Sequence, residues 1–164
     1  MISVAFVVTP PETVIEMLRQ ADLQPGDVLY DLGSGDGRIP IAAAKDYGAR
    51  AVGVELDPQL IAESRATAKR EGVDKLVAFS QTDLFRVNLR DADVVTLYLS
   101  NRINERLLPK LLRELRPGAK IISHDFKMGD WRPEKSIRVP WKNLYRTVHV
   151  WTVPARRKIS RKRR

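Results

Sequence analysis

Gly26-Asp27-Val28-Leu29-Tyr30-Asp31-Leu32-Gly33-Ser34-Gly35-Asp36-Gly37 is the stretch that decides the fold of this chain. A short apolar run, Val28 to Leu32, carries an acid near its end and passes at once into a turn with glycine at every second position. A second apolar run, Ala51-Val52-Gly53-Val54, closes on Glu55. Together these segments form a nucleoside-binding layout. Backbone approaches a ligand closely only where side chains are missing, which is the use of Gly33, Gly35 and Gly37. A carboxylate about twenty residues further on can accept both ribose hydroxyls. The same residues also read as a tight strand-to-helix turn with no ligand.

Outward from this block, strands and helices alternate. Pro11 to Leu23 reads as a helix, with Thr9 as cap, Pro11 in its first turn, and Val14, Ile15, Met17 and Leu18 on its apolar face. Val28 to Leu32 is the first strand, Asp36 to Tyr47 a helix closed by Gly48, and Ala51 to Glu55 the second strand. Asp57-Pro58 starts a helix that runs to Glu71 and stops at Gly72. Leu76 to Ser80 and Asp93 to Leu99 are the third and fourth strands; the near-continuous apolar run of the fourth indicates cover on both faces. Asn101 to Arg116 is helical, with Ile103, Leu107, Leu108, Leu111, Leu112 and Leu115 on its buried side, and Pro109 is expected to break or kink it. Lys120 to His124 is a fifth strand, and Ser136 to Trp141 with Leu144 to Val153 reads as an antiparallel hairpin. The class is α/β: a parallel sheet with right-handed crossovers and helices on both faces.

The chain has 164 residues, enough for one domain, read here as residues 1–155. There is no cysteine, which excludes disulfides and cysteine-ligated zinc, and two histidines are too few to suggest a metal cluster. Met1 to Val8 is apolar, but it lacks a basic start and is stopped by Thr9-Pro10-Pro11, so it is a poor signal peptide and too short to span a bilayer. A cytoplasmic protein without membrane contact is expected. Residues 156–164 hold seven basic and no acidic residues, so all but two of the nine net positive charges sit there. They read as a disordered tail that attracts polyanions. Loose RNA, DNA or ribosome contact through Arg156 to Arg164 and a merely solubilising end are both open readings.

The glycine block separates two kinds of nucleoside site. A dinucleotide turn of the form G-x-G-x-x-G would need glycine where Arg38 stands. Asp31, two residues before the first glycine, suits a ligand that carries an ammonium group. The block resembles motif I of class I S-adenosylmethionine-dependent methyltransferases. That resemblance implies a Rossmann-like, doubly wound sheet of order 3-2-1-4-5-7-6 with strand 7 antiparallel, and S-adenosylmethionine as cofactor. It implies that Asp31 faces the methionine amine, that Gly33, Ser34, Gly35 and Gly37 pass under methionine and ribose, and that Glu55 holds the ribose diol. It also implies that Asp83 accepts the adenine amino group between the apolar walls Leu56 and Leu84; capping of a turn by Asp83 is the alternative. Tyr98-Leu99-Ser100-Asn101 then stands where donor meets acceptor. It lacks the Asp/Asn-Pro-Pro-Tyr/Phe sequence used on planar exocyclic amines and on glutamine, which leaves Tyr98 and Ser100 to line an opening for a flexible amine or hydroxyl. Tyr98 as a core residue is the alternative.

A closer resemblance lies in Val8-Thr9-Pro10 with Val14 to Leu18, Tyr30 to Arg38, Val52 to Glu55, Val94 to Leu99, Pro109-Lys110-Leu111, and Ser123-His124-Asp125-Phe126 with Trp131. These stretches are similar to the small prokaryotic protein lysine methyltransferases, relatives of the mitochondrial enzymes acting on the ATP synthase c-subunit and the adenine nucleotide translocase. The resemblance implies a protein substrate methylated on the ε-amine of lysine. It implies that the N-terminal stretch with Thr9 folds over the cofactor, that Tyr98 orients the amine, and that His124 and Asp125 contact substrate or assist proton loss. For His124 a structural role is equally open. Pro11 after Pro10, Ile39-Pro40 and the basic tail depart from the family pattern, and the membrane-targeting segment of the mitochondrial members is not expected in this chain. RNA-directed and small-molecule methyl transfer, and a non-catalytic cofactor-binding module, are the competing readings. Oligomeric state is not written in the sequence.

Overall fold

The computed structural model describes residues 7–155; most of the apolar start and the basic stretch 156–164 lie outside them. In chain order the elements are α1 (Pro11–Ala21), β1 (Val28–Leu32), α2 (Arg38–Tyr47), β2 (Arg50–Glu55), α3 (Pro58–Arg70), β3 (Val77–Gln81), β4 (Val94–Leu97), α4 (Asn101–Glu114), β5 (Lys120–His124), β6 (Lys135–Trp141) and β7 (Leu144–Thr152). The seven strands form one sheet in the order β3-β2-β1-β4-β5-β7-β6. β1 to β5 run parallel, and β7 runs antiparallel to both β5 and β6. The alternation of elements predicts the parallel part of this sheet, and the resemblance to class I methyltransferases implies its order and its antiparallel strand. Among the described residues, no helix is long and apolar enough to cross a membrane.

Two apolar layers flank the sheet. On one face Val14, Met17 and Leu18 of α1, Ile39 and Ala43 of α2, and Ile61 of α3 pack over Leu29, Ile122 and Val148. On the other, Leu107 and Leu111 of α4 pack with Leu115 over Tyr30, Leu32, Val95 and Ile121. Asp57 caps α3 by accepting from the Gln59 amide at 2.9 Å, and Ser100 caps α4 from the Ile103 amide at 3.2 Å. Each cap contributes about 1 kcal/mol.

Four local expectations are corrected. Thr9 does not cap α1; Pro10 occupies the cap position without a side-chain bond, and the Thr9 hydroxyl goes to His124 instead. Pro109 does not break α4. It removes one backbone bond, to Glu105, but both residues are exposed, so water can take the freed carbonyl while Leu107, Leu111 and Leu115 hold the helix to the sheet. Ile15 and Leu112 face solvent, because the buried stripe of α1 follows Val14, Met17, Leu18 and Ala21, and that of α4 follows Leu107 and Leu111.

Candidate active site

A cleft of about 620 Å³ opens at the carboxyl ends of β1, β2 and β4. Its floor follows from strand register. Asp31 lies beside Gly53 of β2 and Thr96 of β4, all three on one face of the sheet. Thr96 donates its hydroxyl to Asp31 Oδ1 at 2.8 Å. The other carboxylate oxygen has no protein partner among the described residues. Asp31 is 4% exposed, and burial pushes its carboxyl up to about 7. Thr96 opposes that rise, while Glu55 and Asp36 add to it. The cleft floor is therefore an acid that favours a proton or a cation.

The turn above Asp31 is pinned by its own backbone. The Gly33 and Ser34 amides donate to the Val54 carbonyl at 2.8 and 2.9 Å. Gly33 has φ +80°, and a Cβ there would stand 2.9 Å from Leu99 Cδ2. Gly37 has φ +79°, and a Cβ there would meet Phe79 at 2.8 Å and Ser64 Oγ at 2.9 Å. Gly37 does not line the cleft; it lets α2 and β3 close beneath the turn. Glu55 accepts from the Gly35 amide at 3.0 Å through Oε2, and from the Leu56 and Asp57 amides at 2.9 and 3.1 Å through Oε1. It thus ties the end of β2 to the turn. Ser34 Oγ is buried in the cleft wall with no partner among the described residues.

The far end of the cleft is built from side chains. Thr96 pairs with Ile122, so two residues further along the same face Tyr98 meets His124. Their rings stack at 3.8 Å between centroids, and Phe126 stacks against Tyr98 at 5.9 Å. Tyr98 and Phe126 line the cleft, whereas His124 is wholly buried behind Tyr98. His124 Nδ1 lies 3.1 Å from Thr9 Oγ1, and its Nε2 stands 3.4 Å from Asp125 without hydrogen-bond geometry. Burial holds the imidazole down at about 4, against the pull of Asp125, so it is neutral near pH 7. Burial also raises the Tyr98 phenol above its usual range.

The expected residues divide accordingly. Thr9, Asp31, Gly33, Ser34, Gly35, Glu55, Leu56, Leu84 and Tyr98 all line the cleft. Asp83 stands just outside its lining and accepts from the Phe85 amide at 2.9 Å, which is the turn-capping alternative. Arg38 is a site residue that sequence reasoning misses. It pairs with Asp36 at 2.6 Å and donates to the Thr9 carbonyl at 3.0 Å, strapping the segment before α1 to the glycine turn. Its one signal is its place where a dinucleotide turn would carry glycine. A smaller cavity of about 440 Å³ lies at the amino ends of the strands, beside Asp27, Asp93 and Arg116. It is remote from the turn, and Asp93 and Arg116 are paired with each other at 2.6 Å.

The comparisons with known proteins point the same way. The family model of the ANTKMT methyltransferase domain matches residues 31–135, more than half of the chain. A protein-lysine N-methyltransferase of Saccharolobus islandicus is 40% identical over 92% of this chain and 94% of its own. The adenine nucleotide translocase lysine N-methyltransferase of Mus musculus is 38% identical over 74% of this chain, and the match covers 52% of that relative. A crystal structure of a Salinibacter ruber protein described as an RNA methyltransferase, in complex with S-adenosyl-L-homocysteine, superposes with a TM-score of 0.86 at 47% identity. That likeness covers 93% of this chain and 97% of the other. The chain belongs to the ANTKMT methyltransferase domain family and is an S-adenosylmethionine-dependent methyltransferase.

Proposed function

We propose that this enzyme methylates the ε-amine of lysine in proteins. The observation that carries the reading is the open mouth of the cleft. Tyr98 and Phe126 stand there as an aromatic wall, both half-buried and so not sealed from solvent. Such a wall takes an extended aliphatic side chain and attracts its cationic head through the ring faces. The name of the Saccharolobus relative supports the same acceptor.

The residues present fit the cofactor. Asp31, with one oxygen free and its charge unfavourable alone, would take the methionine ammonium. Gly33 and Gly35 leave space where side chains would stand, and the partnerless Ser34 hydroxyl offers a polar contact. Glu55 keeps unused lone pairs for the ribose diol, and Leu56 and Leu84 offer apolar walls to the base. Asp83 keeps its Oδ2 for the adenine amino group. When bound, S-adenosylmethionine supplies a sulfonium-activated methyl group for in-line transfer to an unprotonated amine, leaving S-adenosylhomocysteine.

The chain's own work is alignment and proton loss. A lysine with pKa near ~10.4 is mostly protonated at neutral pH and cannot attack. Loss of hydration on entering the cleft lowers that pKa, against the ring faces that favour the cation, and water at the open mouth takes the proton. His124 is neutral and sealed behind Tyr98, so it does not receive that proton. It sets the plane of the Tyr98 ring, and Thr9 in turn sets the imidazole.

An RNA acceptor is the second reading, favoured by the description of the Salinibacter relative. Transfer of labelled methyl into a host extract separates the two. Label removed by protease and found on lysine by mass spectrometry is the expected result. Label removed by RNase alone would replace lysine with RNA as the acceptor.

A further inference from the structure

The β6–β7 hairpin projects beyond the carboxyl edge of the sheet on the acceptor side of the cleft. His124, the last residue of β5, is level with Val148 of β7 and Ile137 of β6. The strands then continue to Trp141 and Leu144, four residues past that level. At about 3.4 Å per residue the tip reaches roughly 14 Å beyond the end of β5. The hairpin is joined to the acceptor end by Asp125, which accepts from the Thr147 amide at 2.8 Å and from Arg146 at 3.1 Å.

Its chemistry is one-sided. Residues 135–153 contain Lys135, Arg138, Lys142 and Arg146 and no acid. Arg146 is matched by Asp125, but Arg138 and Lys142 have no acidic partner among the described residues. Both cations rest on aromatic rings instead: Arg138 lies 4.2 Å from the Tyr145 centroid and Lys142 4.5 Å from that of Trp141. Arg146 also covers Trp141, at 4.4 Å. The tip adds Leu144 and Tyr145, 66% and 56% exposed. A hairpin placed only to close the sheet does not need this composition.

We infer that the hairpin tip is the docking surface for the protein substrate, and that it takes an acidic segment lying beside the target lysine. Arg138 on the Tyr145 face of the hairpin and Lys142 on the Trp141 face offer their N–H groups to carboxylates on the two sides of the tip, and Leu144, opposite Trp141, gives an apolar contact. The inference rests on the lysine-methylation reading. Arg138 already covers one face of Tyr145, and Lys142 and Arg146 both pack on Trp141, which reduces the ring surface that single-stranded RNA would need for base stacking. A carboxylate-bearing polypeptide needs only the outward N–H groups of the same cations. Attraction between exposed charges is long-ranged and salt-sensitive, so the surface raises encounter and lowers KM rather than speeding the chemical step.

The test uses the full chain with S-adenosylhomocysteine bound, and the double variant Arg138→Glu with Lys142→Glu. Two fluorescent lysine peptides are titrated by anisotropy, one flanked by aspartate and glutamate and one by serine and asparagine. The wild type is expected to bind the acidic peptide about tenfold tighter, with the preference falling at high salt. The double variant is expected to lose that preference while S-adenosylhomocysteine binds as before. Equal binding of both peptides by the wild type, or a preference that survives the double substitution, overturns the proposal. So does a variant that loses affinity for an RNA oligonucleotide while treating the peptides as the wild type does. Binding is read without turnover, so absent lysine methylation in a parallel assay defeats the acceptor assignment separately.

Discussion

The two halves of the cleft are made by different means. The cofactor half is made by backbone: a turn of alternating glycines pinned on Val54, over a buried acid set by strand register. The acceptor half is made by four side chains from three distant places, Thr9, Tyr98, and His124 with Phe126, stacked or bonded together. A turn that depends on positive φ and missing Cβ atoms tolerates little change. A stack of rings tolerates reshaping, and that is where a family can change its acceptor while keeping its cofactor.

The sharpest way to break this contrast is at Gly37. Alanine there must adopt φ +79° and place Cβ 2.8 Å from Phe79. Left-handed backbone costs about 1–2 kcal/mol for an L-residue, and overpacking a close contact costs about 1–3 kcal/mol. Gly37→Ala is expected to lower unfolding free energy by about 3 kcal/mol in urea denaturation. A loss below about 1 kcal/mol would mean the turn is not held by packing against β3.

Asp31→Asn probes the same half by charge. Loss of a charge-assisted bond of about 2 kcal/mol corresponds to roughly thirtyfold weaker S-adenosylhomocysteine binding by calorimetry. The pH dependence carries the sign. With its carboxyl at about 7, above the usual carboxylate value, folded Asp31 is protonated where the unfolded chain is ionised. Its contribution to stability is complete below about pH 4 and is lost as pH rises through 7. Cofactor affinity moves the other way, rising through pH 7 as the acid ionises to meet a cation. Asn at 31 should flatten both trends, and a variant that keeps the affinity rise would assign it to another group.

Legibility in the sequence follows the same division. The glycine spacing, the two acids and the proline-punctuated helices are local signals, so the parallel α/β class and the floor of the cleft are readable in the sequence, while the strand order comes only with the resemblance that the glycine block carries. Glu55 is legible as an acid at a strand end, but its bonds to three backbone amides are not, because they depend on how the turn folds back. The partnership of Thr9 with His124 spans 115 residues, and no periodicity carries it. Ser-His-Asp-Phe at 123–126 marks a place of interest, but register alone decides that His124 points behind Tyr98 and Phe126 into the opening. The Pro109 expectation fails for a different reason. A local rule about helix breakers meets a helix whose leucines are held by the sheet.

Tyr98 tests the acceptor half directly. Tyr98→Leu removes the ring face while filling most of the volume. A ring–cation contact of about 1.4 kcal/mol translates to roughly tenfold in kcat/KM for a lysine peptide, with S-adenosylhomocysteine affinity within about twofold of the wild type. Tyr98→Phe keeps the face and is expected to retain most activity. If Phe is as damaging as Leu, the phenol oxygen rather than the ring does the orienting.

The smallest expected effect is also the one that decides whether the halves are separable. Thr9 bonds both ways: its hydroxyl meets His124 Nδ1, and its backbone carbonyl accepts from Arg38 of the glycine turn. Thr9→Val deletes the first and keeps the second, leaving a buried imidazole nitrogen unpaired at a cost of about 1 kcal/mol. Because burial holds His124 at about 4, below its unfolded value, its neutral form supports the fold fully above about pH 6.5 and loses that support as pH falls towards 4. The wild type should therefore carry an acid-side loss of stability over that window which His124→Gln removes. In Thr9→Val the imidazole behind Tyr98 loses the bond that fixes it, so kcat should drop a few-fold while S-adenosylhomocysteine binding holds, because the Arg38 strap is intact. A parallel loss of cofactor affinity would mean that Thr9 transmits strain from the ring stack to the turn, and that acceptor and cofactor sites cannot be varied independently.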